Sequence, residues 1–342
     1  MRLIQRGVML AAVAIAGLVP AAASTAAASA APSARATGQT ATSCSSVATI
    51  LVGNAPDGIA ANPRTNTIYV PNVNDNTVSV ISGKTNVVVA TVPVGLGPFA
   101  VAVNPRVNLI YATNNSPGHT VSVISGRTNT VVATVTVGFG PAGIAVNPRT
   151  HRIYTANANE GTVSVISGRT NTVVATIPKV GYPFGIAVNP RTNKIYVADR
   201  NLGQVTVING RTNAVVARVH VGVSPVGVAV NPRTNRIYVT DDFTKTVSVI
   251  SGRTNTVVAA INTGTGLFFG VAVNPENNTI YAAGSHSDGT GVVSVISGRA
   301  NTVVATAPVG RLPAGAAVNP RTGAIYVTSP VDHTVSVLTC RR

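Results

Sequence analysis

The chain of 342 residues contains no tryptophan, and only 4% of its residues are aromatic. Acidic residues are also scarce, since 9 of them face 25 lysines and arginines. A surface that stacks on nucleic-acid bases needs aromatic side chains among its cations, and the few aromatic residues here do not alternate with the arginines. Nucleic acid is therefore a weakly supported partner, whereas the excess of positive charge favours anionic partners in general.

Long apolar runs are missing as well, because no segment reaches the roughly 18 residues that span a bilayer. The N-terminus has a short apolar stretch at residues 7–19, which follows Arg2 and Arg6 and precedes three alanines at 21–23. This layout predicts a secretory signal peptide over residues 1–23, with a membrane anchor as the alternative. Residues 24–43 are almost wholly Ala, Ser, Thr and Gly, which predicts a flexible leader.

Residues 44–342 consist of one unit repeated about every 42 residues. Seven Asn-Pro pairs mark it, with their prolines at Pro63, Pro105, Pro148, Pro190, Pro232, Pro275 and Pro320. In the third unit, short apolar or alternating segments at 143–146, from 153, at 162–166 and at 172–177 are separated by turn residues. Four strands per unit at this period predict an all-β fold, a seven-bladed β-propeller, with a β-solenoid as the alternative.

The repeat also resembles the YVTN family of β-propeller repeat proteins. Variants of the motif that names the family occur at Tyr111-Ala112-Thr113-Asn114, Tyr238-Val239-Thr240-Asp241 and Tyr326-Val327-Thr328-Ser329. The resemblance extends over the chain from Cys44 onward and implies the same ring. It does not imply one activity, because related rings include surface proteins, lactonases, dehydrogenases and a streptogramin lyase.

The two cysteines are predicted to close the ring. Residues 47–50 match the fourth strand of a unit, and residues 335–338 match a third strand, so the two termini together complete the last blade. Cys340 and Cys44 align with two positions three apart in the turn that this blade lacks, which is within disulfide distance. We therefore predict a Cys44–Cys340 disulfide and a secreted protein, with two free thiols or a metal pair as the alternative.

The strand order places two kinds of turn on one face of the ring, and both carry cations. We predict that this face binds an anionic polymer, with simple solvation of duplicated turn residues as the alternative. Besides Lys84, the predicted anion-binding residues are Arg64, Arg106, Arg127, Arg149, Arg169, Arg191, Arg211, Arg233, Arg253, Arg299 and Arg321.

The opposite face gathers most of the phenylalanines at one mouth of the central channel, beside eight of the nine acidic residues. We interpret this as a site for a hydrophobic ligand or a peptide, with packing between blades as the alternative. The candidate residues are Phe99, Phe139, Tyr182, Phe184, Phe268 and Phe269.

Signals for catalysis are few. His286 with Asp288, and His333 with Asp332, are weak candidates for an acid–base pair, and nothing in the sequence indicates a cofactor or a metal site. Near-identical blades suit many weak equivalent contacts better than a single asymmetric active site. We therefore expect a monomeric, extracellular binding or scaffolding protein, at the cell surface or wall, that binds an anionic wall polymer or glycan, or a protein. A lactonase- or lyase-like enzyme with its site on the His-bearing face is the alternative.

Overall fold

The structure, a computed structural model, describes residues 43–115, 117–264, 266 and 269–341. Within these ranges the chain forms 28 strands and no helix, arranged as seven four-stranded antiparallel sheets. The predicted seven-bladed propeller is therefore confirmed. The predicted signal peptide, and all but the last residue of the predicted leader, lie outside the described residues.

Four blades follow one another from the first complete unit. Blade 1 contains β2 (Ala60–Asn62), β3 (Thr67–Asn72), β4 (Thr77–Ser82) and β5 (Val87–Pro93). Blade 2 contains β6 (Pro98–Asn104), β7 (Leu109–Asn114), β8 (Thr120–Ser125) and β9 (Thr130–Thr136). Blade 3 contains β10 (Pro141–Asn147), β11 (Arg152–Asn157), β12 (Thr162–Ser167) and β13 (Thr172–Ile177). Blade 4 contains β14 (Pro183–Asn189), β15 (Lys194–Asp199), β16 (Gln204–Asn209) and β17 (Val215–His220).

Three further blades complete the ring. Blade 5 contains β18 (Pro225–Asn231), β19 (Arg236–Asp241), β20 (Thr246–Ser251) and β21 (Thr256–Asn262). Blade 6 contains β22 (Val271–Asn274), β23 (Thr279–Ser285), β24 (Gly291–Ser297) and β25 (Thr302–Val309). Blade 7 contains β26 (Ala316–Val318), β27 (Ile325–Ser329), β28 (Thr334–Arg341) and the N-terminal β1 (Ser43–Leu51) as its outermost strand.

Blade 7 confirms both the shared blade and the disulfide. β1 pairs antiparallel with β28, and Cys44 lies directly opposite Cys340, to which it is bonded with a Cα–Cα distance of 4.1 Å. Elsewhere these two positions belong to a tight turn between the third and fourth strands, but here both strands continue through them. The register shift between Ser46 and Ala48 reproduces the β-bulge at the same place in the other blades. The closing blade is thus a regular one.

The first strand of each blade lines the ring axis, because first strands of neighbouring blades contact one another all the way round. Their backbones come close: the Gly58 N–H donates to the Phe99 carbonyl of the next blade at 3.0 Å. A Cβ on Gly270 would lie 2.6 Å from the backbone nitrogen of Ala316. The small residues of the first strands are therefore required by this backbone proximity.

The core is divided among seven clusters of buried residues, each formed between two adjacent blades. One of them joins Tyr69, Val78 and Val80 of blade 1 to Val101 and Ile110 of blade 2. The repeated tyrosines are nearly inaccessible to solvent. Burial raises the pKa of Tyr69, Tyr111 and Tyr196 to about 12, with a small opposing effect of Thr67 on Tyr69.

A second link between blades is made by the asparagine of each Asn-Pro pair. Its side-chain Nδ2 donates across the junction to the Oδ1 of an asparagine in the following blade's first turn, as from Asn189 to Asn235 at 2.7 Å. Equivalent bonds of 2.6–2.7 Å occur at four other junctions: Asn62–Asn108, Asn147–Asn193, Asn231–Asn278 and Asn319–Asn66. The last of these joins blade 7 to blade 1.

The accepting position has φ near +55°, which asparagine tolerates better than most residues. His151 and Gly323 occupy it at the two remaining junctions, also with positive φ. The Nδ2 of Asn104, which would pair with an asparagine at 151, is buried without a hydrogen-bond partner among the described residues. The described ranges contain no helix long and apolar enough to cross a membrane.

Candidate functional site

The basic face, as we use the term, comprises the turns that follow the first and third strands of each blade. All the arginines predicted to bind anions, and Lys84, lie in these turns and are exposed. Because the first strand is innermost and the fourth outermost, the cations form an inner and an outer ring. Blade 6 has Glu276 in the inner ring, and the outer ring is interrupted at blade 7, where the disulfide replaces the turn.

Side-chain oxygens fix these turns by accepting hydrogen bonds from the backbone at or next to the cation. In the inner ring, the N–H of Arg64 donates to Asn62 Oδ1 at 3.0 Å, and the same bond recurs at the other Asn-Pro turns. In the outer ring, the N–H of Arg127 donates to Ser125 Oγ at 3.3 Å. The Asn thus has two roles, since its oxygen fixes the turn and its nitrogen reaches the next blade. Sequence reasoning identified the turn but missed the second role.

Few acidic side chains lie near these cations to neutralise them. In the described part of the chain, the basic face contains one ion pair, in which Arg233 Nη2 lies 2.6 Å from Glu276 Oε1. Both side chains are about half exposed, so the pair contributes little to stability. The positive potential of the face therefore remains largely available to an external anion.

The acidic face carries the channel mouth, and two of its candidate rings meet there. Phe99 of blade 2 and Phe184 of blade 4 lie edge to face, with ring centroids 5.6 Å apart. The Arg200 guanidinium lies 5.5 Å from the Phe184 centroid and forms a 2.9 Å ion pair with Asp242. Burial raises the pKa of Asp242 despite this arginine. The contact reaches past blade 3, where Ala142 occupies the corresponding position.

The other candidate aromatic residues do not join this pair. Phe139 is 61% exposed and contacts the ring of His119, with centroids 4.5 Å apart. Tyr182 and Phe269 are partly buried, and Phe268 lies outside the described residues. The structure therefore separates one packed pair, Phe99 with Phe184, from an exposed ring at Phe139.

Several carboxylates of the acidic face are bonded to the backbone of the loops that enter the first strands. Asp75 accepts from the Asn54 N–H at 2.7 Å, and Glu160 accepts from Phe139 at 2.8 Å. The buried Asp241 accepts from Val223 at 2.7 Å. These carboxylates hold the loops in place, since each satisfies an N–H that would otherwise lack a partner.

The candidate catalytic residues are placed in two different loops. His286 and Asp288 share an exposed loop, where Asp288 accepts from the Thr290 N–H at 2.8 Å. That hydrogen bond, with a smaller effect of His286, lowers the pKa of Asp288. In the neighbouring loop, Asp332 accepts from the Arg311 N–H at 2.7 Å.

His333 has a structural contact of its own. Its Nδ1 accepts from the Ala55 N–H at 3.2 Å, as His119 does from Gly140 and as Asn76 Oδ1 does from Gly97. The two histidines thus take the position and the hydrogen bond of a turn asparagine. No group of three or more His, Cys, Asp or Glu side chains that could hold a metal ion occurs in the described ranges.

Comparison with known proteins supports the propeller fold and indicates no specific function. No protein-family model matches the chain, and no curated protein matches it significantly. Among solved structures, hydrazine synthase of Kuenenia stuttgartiensis superposes with a TM-score of 0.75 at 19% sequence identity. The match covers 83% of this chain and 95% of that one. At this identity the likeness concerns the propeller architecture alone.

Proposed function

We propose that this propeller is an exported binding protein that captures an anionic polymer on its basic face. The observation that carries the proposal is the pair of concentric rings of exposed cations, held by repeated backbone hydrogen bonds and opposed by one acidic side chain, Glu276. Each cation that neutralises an anionic group releases a counterion, so many weak contacts add up to useful affinity at low salt.

A non-aromatic polyanion fits this face better than a nucleic acid. The seven repeated tyrosines are buried between blades. Tyr182 and the described phenylalanines of the candidate set lie on the acidic face, so the arginines have no neighbouring rings for base stacking. An anionic cell-wall polymer or an acidic glycan needs only spaced charges. We propose such a polymer as the ligand.

Export from the cell and membership of a repeat family are parts of the same proposal. The Cys44–Cys340 disulfide is compatible with an oxidising compartment. Together with the signal-like residues 1–23, it supports a protein secreted to the cell surface or wall. The Tyr-containing motifs support membership of the YVTN repeat family, whose fold this ring shares.

The test is retention on heparin as a function of salt, for the protein and for two triple variants of equal charge loss. The first variant replaces Arg64, Arg106 and Arg149 of the inner ring by glutamine. The matched control replaces three exposed cations away from the basic face: Lys179, Arg218 and Arg311.

We expect the inner-ring variant to elute at lower salt and to lower the slope of log affinity against log salt by up to about three. The control should behave as the unmodified protein does. Absence of retention at low salt would refute the proposal, and so would an equal loss in the control, because that result would report net charge alone.

The second candidate function is the binding of an apolar ligand or a peptide segment at the channel mouth. The edge-to-face contact of Phe99 with Phe184 favours packing there, because the two rings already cover part of each other. Replacing each by serine separates the two roles. If the rings pack the blades together, their replacement lowers the unfolding temperature. If they bind a ligand, their replacement leaves the unfolding temperature unchanged.

A further inference from the structure

A groove on the acidic face lies between the end of the outermost strand of blade 2 and the outer strands of blade 3. Its volume is about 310 Å³, near the lower limit for small-molecule sites. The lining residues are Thr136, Val137, Gly138, Phe139, Glu160, Ser164, Val173 and Thr176. The groove is separate from both the channel mouth and the basic face.

The same groove recurs between blades 6 and 7, with a volume of about 350 Å³. There Asp332 takes the position of Glu160, Ser336 that of Ser164 and Thr49 that of Thr176. The residue at the position of Phe139 is Arg311 in this second groove. The repeat thus provides a groove lined by both polar and apolar groups twice, and an aromatic ring distinguishes the first.

Glu160 has acceptor capacity that its own fold does not use. Its Oε2 accepts the Phe139 N–H at 2.8 Å, whereas Oε1 has no hydrogen bond within the part of the chain described. Gly138 makes this approach feasible, because a Cβ there would collide with the Glu160 carboxylate. One oxygen fixes the carboxylate and the other can accept a further hydrogen bond.

Two threonine hydroxyl groups that line the groove are also available to a ligand. Thr136 and Thr176 are exposed, and neither hydroxyl forms a hydrogen bond with another described residue. Ser164 is buried, and its Oγ accepts from Asn157 Nδ2 at 2.9 Å, so we do not count its hydroxyl among the groups available to a ligand. The groove therefore offers both donors and acceptors.

Phe139 supplies an apolar surface beside these groups. Its ring is 61% exposed, although a contact with the His119 ring and the hydrogen bond from Gly140 to His119 hold the loop. An exposed ring supplies apolar area that a ligand with an apolar face can cover. An exposed aromatic ring beside a carboxylate and hydroxyls is an amphipathic surface.

We propose that this groove binds a neutral pyranose ring of a glycan. A pyranose has an apolar C–H face that packs on Phe139 and adjacent hydroxyls that donate to Glu160 Oε1. An anionic sugar is disfavoured by the carboxylate, which has no cation beside it in the groove. The inference does not depend on the polymer proposed for the basic face.

The test is saturation-transfer NMR of the protein with three probes: methyl glucoside, methyl galactoside and methyl mannoside. The variants are Phe139→Ala and Glu160→Gln, with Asp332→Asn of the second groove as the matched control. Phe139 is exposed, and a glutamine at 160 still accepts the Phe139 N–H, so both variants should fold. Unfolding temperature confirms that they do.

We expect at least one pyranoside to bind, with affinity reduced tenfold or more in each groove variant and unchanged in Asp332→Asn. Methylammonium serves as a further probe for a simple cation site. The proposal is overturned by binding of methylammonium alone, by the absence of any pyranoside signal, or by a loss that is equal in the control.

Discussion

The hydrogen bonds between asparagines of adjacent blades predict a stability difference between two corresponding positions of the repeat. Asn189 and Asn104 are both fully buried and both accept the N–H of the residue two positions later, at 3.0 and 3.2 Å. Only Asn189 also donates across its blade junction, at 2.7 Å to Asn235. Replacement of each by alanine therefore removes this turn bond. At Asn189 it also removes the bond between blades and a longer bond of 3.4 Å from the Thr192 N–H.

The expected magnitude follows from that difference. An intramolecular hydrogen bond contributes roughly 0.5–1.5 kcal/mol, and an orphaned acceptor such as Asn235 Oδ1 adds to the loss. We expect Asn189→Ala to lower the free energy of unfolding by about 1–2 kcal/mol more than Asn104→Ala. Urea unfolding with the disulfide intact measures both.

The reverse substitution tests the same hydrogen bond at the junction where it is missing. His151→Asn supplies the acceptor that Asn104 Nδ2 lacks, and asparagine suits the φ of +56° at that position. We expect a gain of about 1 kcal/mol that disappears when Asn104 is alanine. Equal costs for Asn189→Ala and Asn104→Ala, together with no effect of His151→Asn, would refute the role assigned to these bonds.

Two further predictions concern the disulfide of blade 7 and the tyrosines buried between blades. Cys44→Ser, or reduction of the unmodified protein, should lower the free energy of unfolding by up to about 5–6 kcal/mol, because the disulfide joins residues 296 positions apart. An unchanged urea midpoint under reducing conditions would contradict this. Tyr69, Tyr111 and Tyr196 have their pKa raised from 10.0 to about 12 by burial, so the folded state holds protons that the unfolded state releases. The contribution of these tyrosines to stability should therefore be fully present below pH 10 and be lost as the pH rises through 12, by about 3 kcal/mol per tyrosine. Tyrosinate absorbance and circular dichroism should change together, and tyrosines that ionise near pH 10 in an intact fold would exclude this explanation.

The sequence by itself determined the blades, their strands and the closure of the ring. In blade 3, strands expected at 143–146, 162–166 and 172–177 occur at Pro141–Asn147, Thr162–Ser167 and Thr172–Ile177. The Cys44–Cys340 pairing could be predicted because both positions align with one turn of the intact repeats. Turn residues and alternation act locally, so a repeated pattern reports them reliably.

The side-chain contacts between loops were decided only by the tertiary structure. Nothing in the spacing indicated that Phe99 meets Phe184 while Phe139 stays exposed, or that His119 and His333 replace a turn asparagine. These contacts join different blades or loops, and they depend on side-chain direction and backbone proximity, which repeat spacing does not encode. The sequence determines each blade, whereas the distinctive groove at Phe139 and Glu160 exists only where two blades meet.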